Sequence, residues 1–182
     1  MNKMMLAFNL WLCSASLFAA DKSYKILSTN IQTVIKKDGT VDFIETREFS
    51  FKGEFSFVYQ VIPKKGYDKI FDIQVFENDV AYLNTETKKV GTFLIDERKN
   101  SYRIYLYHKS SDEVKKFTIK YTLDNPFRIG NNDSQFYWIY LSDKWKKSPG
   151  VLSISQKFSE GINKNYIVFV IGKSFIGNRY KF

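Results

Sequence analysis

The chain of 182 residues is long enough for one domain with a substantial core, since 44% of its residues are apolar and 18% are aromatic. Its formal net charge of +9 favours anionic partners. One cysteine, Cys13, and one histidine, His108, are too few for a disulfide, a Cys/His dyad or a multi-histidine metal site. The nine glycines are spaced as turn residues rather than as a phosphate-binding loop, and we expect no cofactor.

Residues 1–20 have the features of a secretory signal peptide. Lys3 supplies the positive charge, residues 6–18 form an apolar run, and Ala19 and Ala20 offer a cleavage site. We expect cleavage near residue 20, with retention as an N-terminal anchor as the alternative. Residues 21–182 would then be a single extracytoplasmic domain that is periplasmic, secreted or at the cell surface. Anionic envelope polymers and phospholipid surfaces are within reach there, and nucleic acid is not.

Alternation of apolar and polar residues predicts strands along most of the remaining chain. Asp38-Gly39 predicts a two-residue hairpin turn between the first two of them. About ten short strands without intervening helices indicate an all-β fold, an antiparallel β-sandwich that is immunoglobulin-like or related. The predicted strands cover residues 24–36, 40–51, 55–62, 69–77, 90–96, 102–107, 117–123, 135–141, 150–158 and 167–171.

The candidate catalytic residues are few. His108 lies at a strand end, and we expect a partly exposed structural histidine there. Glu45 falls on the apolar face of its strand, where a contact with Arg47 would compensate its charge. The alternative is a carboxylate-based hydrolase, for example one acting on carbohydrate, with Glu45 and Glu54 as the residues to inspect. The loop at residues 131–133 is a weak candidate for a calcium site.

The segment from Phe136 to Trp145 contains five aromatic residues. On strict alternation Phe136, Trp138 and Tyr140 share one face, and Tyr137, Ile139 and Leu141 share the other. Both faces are largely apolar, which predicts a central strand with Trp138 in the core. The following residues, Lys144, Trp145, Lys146 and Lys147, form a candidate surface patch for an anionic membrane or polysaccharide.

An Asp-Gly turn, a strand containing Glu45, the pattern Phe49-x-Phe51-x-Gly53-x-Phe55 and the pair Ile62-Pro63 follow one another in the first half of the chain, and the second half contains Tyr137-Trp138 and a second tryptophan at Trp145. In their order and spacing these features resemble the DUF2207 family of predicted membrane proteins. The resemblance covers most of residues 24–172 and implies an extracytoplasmic β-sandwich that is normally tethered by a transmembrane segment to a further C-terminal region. We expect this chain to be a stand-alone secreted version or a truncated reading frame. The residues that carry the resemblance, which we interpret as mainly structural, are Asp38, Gly39, Glu45, Phe49, Phe51, Gly53, Phe55, Ile62, Pro63, Ile70, Asp72, Ile73, Val75, Tyr121, Asp133, Tyr137, Trp138 and Trp145.

The sequence therefore predicts a non-enzymatic, exported module of the cell envelope that binds a protein or another envelope component. A basic, aromatic module that docks on anionic membrane or polysaccharide is an alternative within the same fold. The carboxylate-based hydrolase is the alternative from another class of protein.

Overall fold

A computed structural model describes residues 22–129, 134–136, 138–140 and 147–160. These residues form two main sheets and a short two-stranded ribbon, and their elements are all strands. In chain order the strands are β1 (Ser23–Ile35), β2 (Thr40–Lys52), β3 (Glu54–Pro63), β4 (Lys69–Glu77), β5 (Val80–Ala81), β6 (Leu83–Asn84), β7 (Thr92–Glu97), β8 (Ser101–Ser111), β9 (Val114–Asp124), β10 (Phe127–Ile129), β11 (Ser134–Phe136) and β12 (Val151–Phe158).

The large sheet has the strand order β12-β1-β2-β9-β4-β5, and the small sheet has the order β3-β8-β7-β6. Most neighbouring strands are antiparallel, as predicted, but β12 runs parallel to β1 and β6 runs parallel to β7. Among the strands that the structure describes, β10 and β11 pair only with each other. Eight of the predicted strands are confirmed, and the predicted strand at 167–171 lies outside the described residues.

The core lies between the two sheets, because alternate residues of each long strand point inward. In β2 these are Val41, Phe43, Glu45, Phe49 and Phe51, all of them buried. Strand β9 contributes buried residues at every second position from 117 to 123, and β8 does so at positions 104, 106 and 108. The alternation of apolar and polar residues in the sequence therefore corresponds to a β-sandwich whose core is formed by inward side chains of both sheets.

The turn between β1 and β2 is one residue longer than predicted. The amide of Lys36 donates to the carbonyl of Thr40 at 2.9 Å, which leaves residues 37–39 in the loop. Gly39 adopts a φ of 83°, a left-handed conformation that glycine takes at little cost. The carboxylate of Asp38 accepts from the Thr40 amide at 2.9 Å and from its hydroxyl at 2.7 Å. These are the contacts of a three-residue hairpin loop.

A bulge explains the spacing of apolar residues in β4. Ile70 and Ile73 both pack against the core, although residues three apart point to opposite faces of a regular strand. The pairing of β4 with β9 shifts between Phe71 and Gln74, and Asp72 takes a φ of 54° at that position. The extra residue returns Ile73 and Val75 to the inner face.

The prediction of a central strand at 135–141 is wrong. Among the described residues of this segment, Phe136 is the last one in a strand, residues 138–140 lie outside the strands, and Ile139 is 55% exposed. The alternation itself is confirmed, since Phe136, Trp138 and Tyr140 all lie against the ring of Phe43, with centroid distances of 6.3, 5.1 and 6.4 Å. The segment packs on the inner side of the large sheet and is not part of it.

Phe43 is therefore the residue that joins this segment to the large sheet. Its ring also stacks on Tyr121, with centroids 4.9 Å apart and an interplanar angle of 7°. We expect Phe43→Ala to lower the free energy of unfolding by about 3–5 kcal/mol, because the deletion leaves a cavity among four aromatic rings. Urea denaturation measures this loss. Ile44→Ala, on the outer face of the same strand, is the matched control and should cost clearly less.

Candidate functional site

The outer face of the small sheet carries exposed aromatic rings. Gln60 and Ile62 of β3 point into the core, as do Ile104 and Leu106 of β8, so the residues between them point outward. Four of these outward residues are aromatic, and we call them the aromatic face: Phe57, Tyr59, Tyr105 and Tyr107.

Strand pairing brings the four rings together. Phe57 lies opposite Tyr107 and Tyr59 lies opposite Tyr105, with ring centroids 6.2 and 5.5 Å apart. The diagonal between Phe57 and Tyr105 is 5.8 Å. Phe57 is 44% exposed and Tyr59 42%. Cross-strand aromatic pairs stabilise a sheet, but the exposed area also leaves a continuous apolar strip in contact with solvent.

The outer face of the large sheet is different in character. Hydroxyl and charged side chains pair across it, including Thr46 with Thr118 at 2.9 Å and Thr122 with Asp42 at 2.8 Å. Lys36 also contacts Asp42, at 2.8 Å. Apolar side chains also occur on that face, and the Lys120 ammonium lies 4.7 Å from the ring centroid of Phe76. The aromatic face is therefore a local feature of β3 and β8, and contiguous exposed apolar surface is typical of an interaction site.

Charged residues lie at one end of the aromatic face. The guanidinium of Arg103 lies 5.7 Å from the ring centroid of Tyr59. Asp96 is paired with Arg103 in the strand register, yet its carboxylate binds Arg98 at 2.6 Å instead. Within the described part of the chain, Arg103 forms no ion pair. Desolvation raises the pKa of Tyr107, with smaller effects from Tyr105 and Asp96, so its hydroxyl stays a neutral hydrogen-bond donor.

Sequence reasoning did not find this face. Alternation separates Tyr105 and Tyr107 from Ile104 and Leu106, but both sets are apolar, and only the pairing with β3 shows which one is covered. Of the surface patch predicted from the sequence, Lys144, Trp145 and Lys146 lie outside the described residues. Lys147 contacts the carbonyl of Tyr24, and its ammonium lies 4.6 Å from the centroid of that ring.

Glu45 occupies the second candidate site and is buried, as predicted. Arg47 donates to Glu45 Oε2 at 2.8 Å, which confirms the expected contact. Gln60 donates to the same oxygen at 2.7 Å, and the Tyr121 hydroxyl donates to Oε1 at 2.6 Å. These two partners could not be predicted from the sequence around Glu45, because they lie on β3 and β9. Both carboxylate oxygens are therefore engaged by donors from three strands.

A small cleft adjoins this carboxylate. Its volume is about 10 Å³, roughly the room for one water molecule. Glu45 is the only acidic residue among those that line it, together with Arg47, Tyr59, Gln60 and neighbouring apolar side chains. Glu54 is exposed at the first position of β3 and does not line the cleft. The structure does not bring these two candidate carboxylates together in the cleft.

The expectation of a partly exposed His108 is wrong. The side chain lies inside β8 with 1% of its surface exposed, between the rings of Phe51 and Phe117 at 5.1 and 5.0 Å. Burial lowers the pKa of His108 to about 4, and the nearby Lys115 ammonium acts in the same direction. The error arose because β8 continues to Ser111 and does not end near His108.

A partly buried ion pair lies close to this histidine. Lys115 contacts Glu77, which also accepts a hydrogen bond from the Tyr82 hydroxyl. Burial acts to raise the pKa of Glu77, but the hydrogen bonds from Lys115 and Tyr82 lower it below its ordinary value. Burial and the bond to Glu77 raise the pKa of Tyr82. The group is a satisfied network that supports the core.

Among the described residues, no group of three His, Cys, Asp or Glu side chains could hold a metal ion. The predicted calcium loop at 131–133 lies outside that range. The same part of the chain contains no helix of the length and apolar character needed to cross a membrane.

The fold and the site thus define an all-β sandwich with one solvated and one aromatic outer face. The chain belongs to the DUF2207 family, since the profile described as "Predicted membrane protein (DUF2207) N-terminal domain" matches residues 25–168. No curated protein shows a significant match to the sequence.

Two solved structures show a limited similarity to the chain. One is a candidate protease of Parabacteroides distasonis, with 10% identity and a TM-score of 0.31. The other is a candidate nutrient-binding protein of Legionella pneumophila, with 12% identity and a TM-score of 0.32. Each alignment covers 56% of this chain, but only 23% of the first structure and 39% of the second. The chain therefore spans less than half the length of either one.

Most of the described residues that carry the family resemblance lie in turns, at a strand end or in the core. Asp38 and Gly39 form the first turn, and Gly53 adopts a φ of 79° between β2 and β3, where its amide donates to Asp112 at 2.9 Å. Pro63 ends β3. Phe49, Phe51, Ile62, Val75 and Tyr121 are core residues, and Phe55 and Trp138 pack against them. Asp133, Tyr137 and Trp145 are outside the described residues.

The contacts of Glu45 predict the effect of removing one donor. Tyr121→Phe keeps the ring but leaves Glu45 Oε1 without its hydroxyl partner, so we expect the free energy of unfolding to fall by about 1–3 kcal/mol. Urea denaturation followed by circular dichroism measures the change. Tyr105→Phe, which removes a hydroxyl from the solvated aromatic face, should stay within about 0.5 kcal/mol of the parent protein. Equal effects of the two substitutions would contradict the structural role of Glu45.

His108 predicts a pH dependence of stability. The pKa of this side chain is about 4 in the folded protein and 6.5 when unperturbed, so between these values the unfolded chain binds more protons. The free energy of unfolding should therefore fall as the pH drops from 6.5 towards 4, by about 3 kcal/mol in total. The His108→Leu variant should lack this fall in the free energy of unfolding between pH 6.5 and 4. Both proteins contain the same carboxylates, so the contribution of those groups cancels when the two pH profiles are compared. Parallel pH profiles for the two proteins would refute the assignment.

Proposed function

We propose that this chain is a non-enzymatic, exported module of the cell envelope that binds a protein or another envelope component through the aromatic face. The observation that carries the proposal is the strip formed by Phe57, Tyr59, Tyr105 and Tyr107 on one outer face of the sandwich, in which Phe57 and Tyr59 are exposed and the two tyrosines from β8 are half-buried. Membership of a family of predicted membrane proteins supports the envelope association.

The chemistry of the strip suits binding. Tyrosine and phenylalanine present a large apolar area and lose little side-chain entropy when they are covered, because each has only two rotatable side-chain bonds. Here the rings already contact one another at 5.5–6.3 Å, so part of their ordering is achieved before a ligand arrives. A ligand that covers the strip gains the apolar area at a reduced entropic cost.

The proposed export rests on the signal-peptide features of residues 1–20, and the first described strand begins after that segment. Strand β1 begins at Ser23, so cleavage near residue 20 leaves every described strand intact. Retention of residues 1–20 as an anchor would place the sandwich directly at the membrane surface. In both cases the aromatic face is presented outside the cytoplasm.

The non-enzymatic part of the proposal is supported by the state of the candidate catalytic groups. Both oxygens of Glu45 accept hydrogen bonds from neighbouring side chains, and His108 is buried between two phenylalanine rings. A general acid or base must reach a substrate, and neither group is placed to do so. The carboxylate-based hydrolase therefore gains no support from Glu45.

The proposal is tested by retention of the purified mature protein on an envelope fraction of its source cells. We expect Tyr59→Ser combined with Tyr105→Ser to reduce the co-sedimenting fraction at least fivefold. The matched control, Ile44→Ser combined with Phe76→Ser, changes two large residues on the outer face of the other sheet and should leave retention unchanged. Circular dichroism and thermal denaturation verify that each variant is folded.

If the two double variants are retained equally, the aromatic face is not the binding surface. If neither they nor the parent protein co-sediments, the envelope-binding function itself is wrong.

A further inference from the structure

We infer that the ligand of the aromatic face is an acidic polysaccharide, with sugar rings stacked on the tyrosines and a carboxylate or phosphate group paired with Arg103. This inference rests on the proposed function and specifies its ligand class. It depends on three features of the face: its shape, its uncompensated charge and its polar rim.

The shape of the face favours an extended polymer. The outward residues of β3 and β8 form three successive cross-strand pairs, Phe57 with Tyr107, Tyr59 with Tyr105, and Val61 with Arg103. Residues 57 and 61 are four positions apart along β3, so the first and last pairs are about 13 Å apart. Pockets for small molecules typically enclose about 300–1,000 Å³, whereas the cleft near Glu45 has about 10 Å³. A flat, elongated strip matches a chain of rings lying along it.

The charge of the face favours an anionic ligand. Arg103 stands at the end of the strip against Tyr59, and among the described residues it forms no ion pair. Guanidinium groups bind carboxylate and phosphate through paired hydrogen bonds, and the adjacent ring keeps the side chain in place. The chain as a whole carries a formal charge of +9, which attracts an anionic polymer from a distance.

The rim favours a glycan over an anionic bilayer. Asp96 lies opposite Arg103 in the strand register, and its carboxylate is held by Arg98, with contacts of 2.8 Å from Nε and 2.6 Å from a terminal nitrogen. Carboxylates and tyrosine hydroxyls are hydrogen-bond partners for sugar hydroxyl groups. An acidic glycan presents neutral hydroxyl groups between its charged groups, so it can place a hydroxyl against this carboxylate, whereas an anionic bilayer presents phosphates across its whole surface.

The inference is tested with the full mature protein by isothermal titration calorimetry and affinity electrophoresis. The probes are polygalacturonate for carboxylate, phosphomannan for phosphate, dextran as a neutral glycan, and vesicles of phosphatidylglycerol. We expect binding to at least one acidic glycan that weakens as the salt concentration rises, and little binding to dextran. The difference between the two acidic glycans identifies the anionic group.

Arg103→Gln should weaken binding to the acidic glycan at least tenfold. The matched control is Lys120→Gln, because the Lys120 ammonium lies 4.7 Å from the ring of Phe76 on the other outer face, a similar cation–aromatic pair in a different place. Its binding should equal that of the parent protein. Tyr59→Ser combined with Tyr105→Ser should abolish binding to the glycan.

Three outcomes would overturn the inference. Binding to vesicles but to neither acidic glycan would identify a membrane surface as the ligand. Equal binding to dextran, or equal losses for Arg103→Gln and Lys120→Gln, would remove the role of Arg103. Retention on the envelope fraction that depends on the aromatic face, without binding to either acidic glycan, would leave the proposed function standing and refute the ligand class.

Discussion

The two sheets meet at one buried carboxylate. Glu45 lies on β2 in the large sheet, and its hydrogen-bond donors come from β2 itself, from β9 in the same sheet and from β3 in the small sheet. A charge removed from water costs several kcal/mol unless it is paired. A shift of two residues in β3 or β9 would keep the apolar residues inward, but it would move Gln60 or Tyr121 about 7 Å along the strand and leave the carboxylate incompletely paired. The requirement to satisfy Glu45 therefore selects one register among those that the apolar pattern alone would allow.

Local patterns in the sequence predicted the parts of this arrangement that depend on neighbouring residues. The contact between Glu45 and Arg47 was predictable because residues two apart share a face of a strand. Gln60 and Tyr121 were not, since they are 15 and 76 residues away and nothing local links them to Glu45. The bulge at Asp72 had a usable signal, because two isoleucines three positions apart cannot both face inward in a regular strand.

The surface followed less directly from the sequence than the core did. Aromatic residues occur in the segment from Phe136 to Tyr140 and in β3 and β8, and composition does not distinguish the two groups. In the first group three rings are covered by packing on Phe43, and in the second four rings remain on an outer face. The difference lies in which sheet covers which strand. Which side of a strand is covered depends on pairing between residues far apart in the sequence, and the periodicity within one strand carries no information about it.

The parallel pairing of β12 with β1 has a mechanical consequence. The eight paired positions run from Ser28 with Val151 to Ile35 with Phe158. Because the two strands run in the same direction, the start of β1 and the end of β12 lie at opposite ends of the pair. Tension applied between those points acts along the strands and strains the whole row of hydrogen bonds together, instead of opening them one at a time. A domain anchored at one of these points and pulled at the other would resist extension as a unit, and the small sheet with its aromatic face would lie outside the line of force.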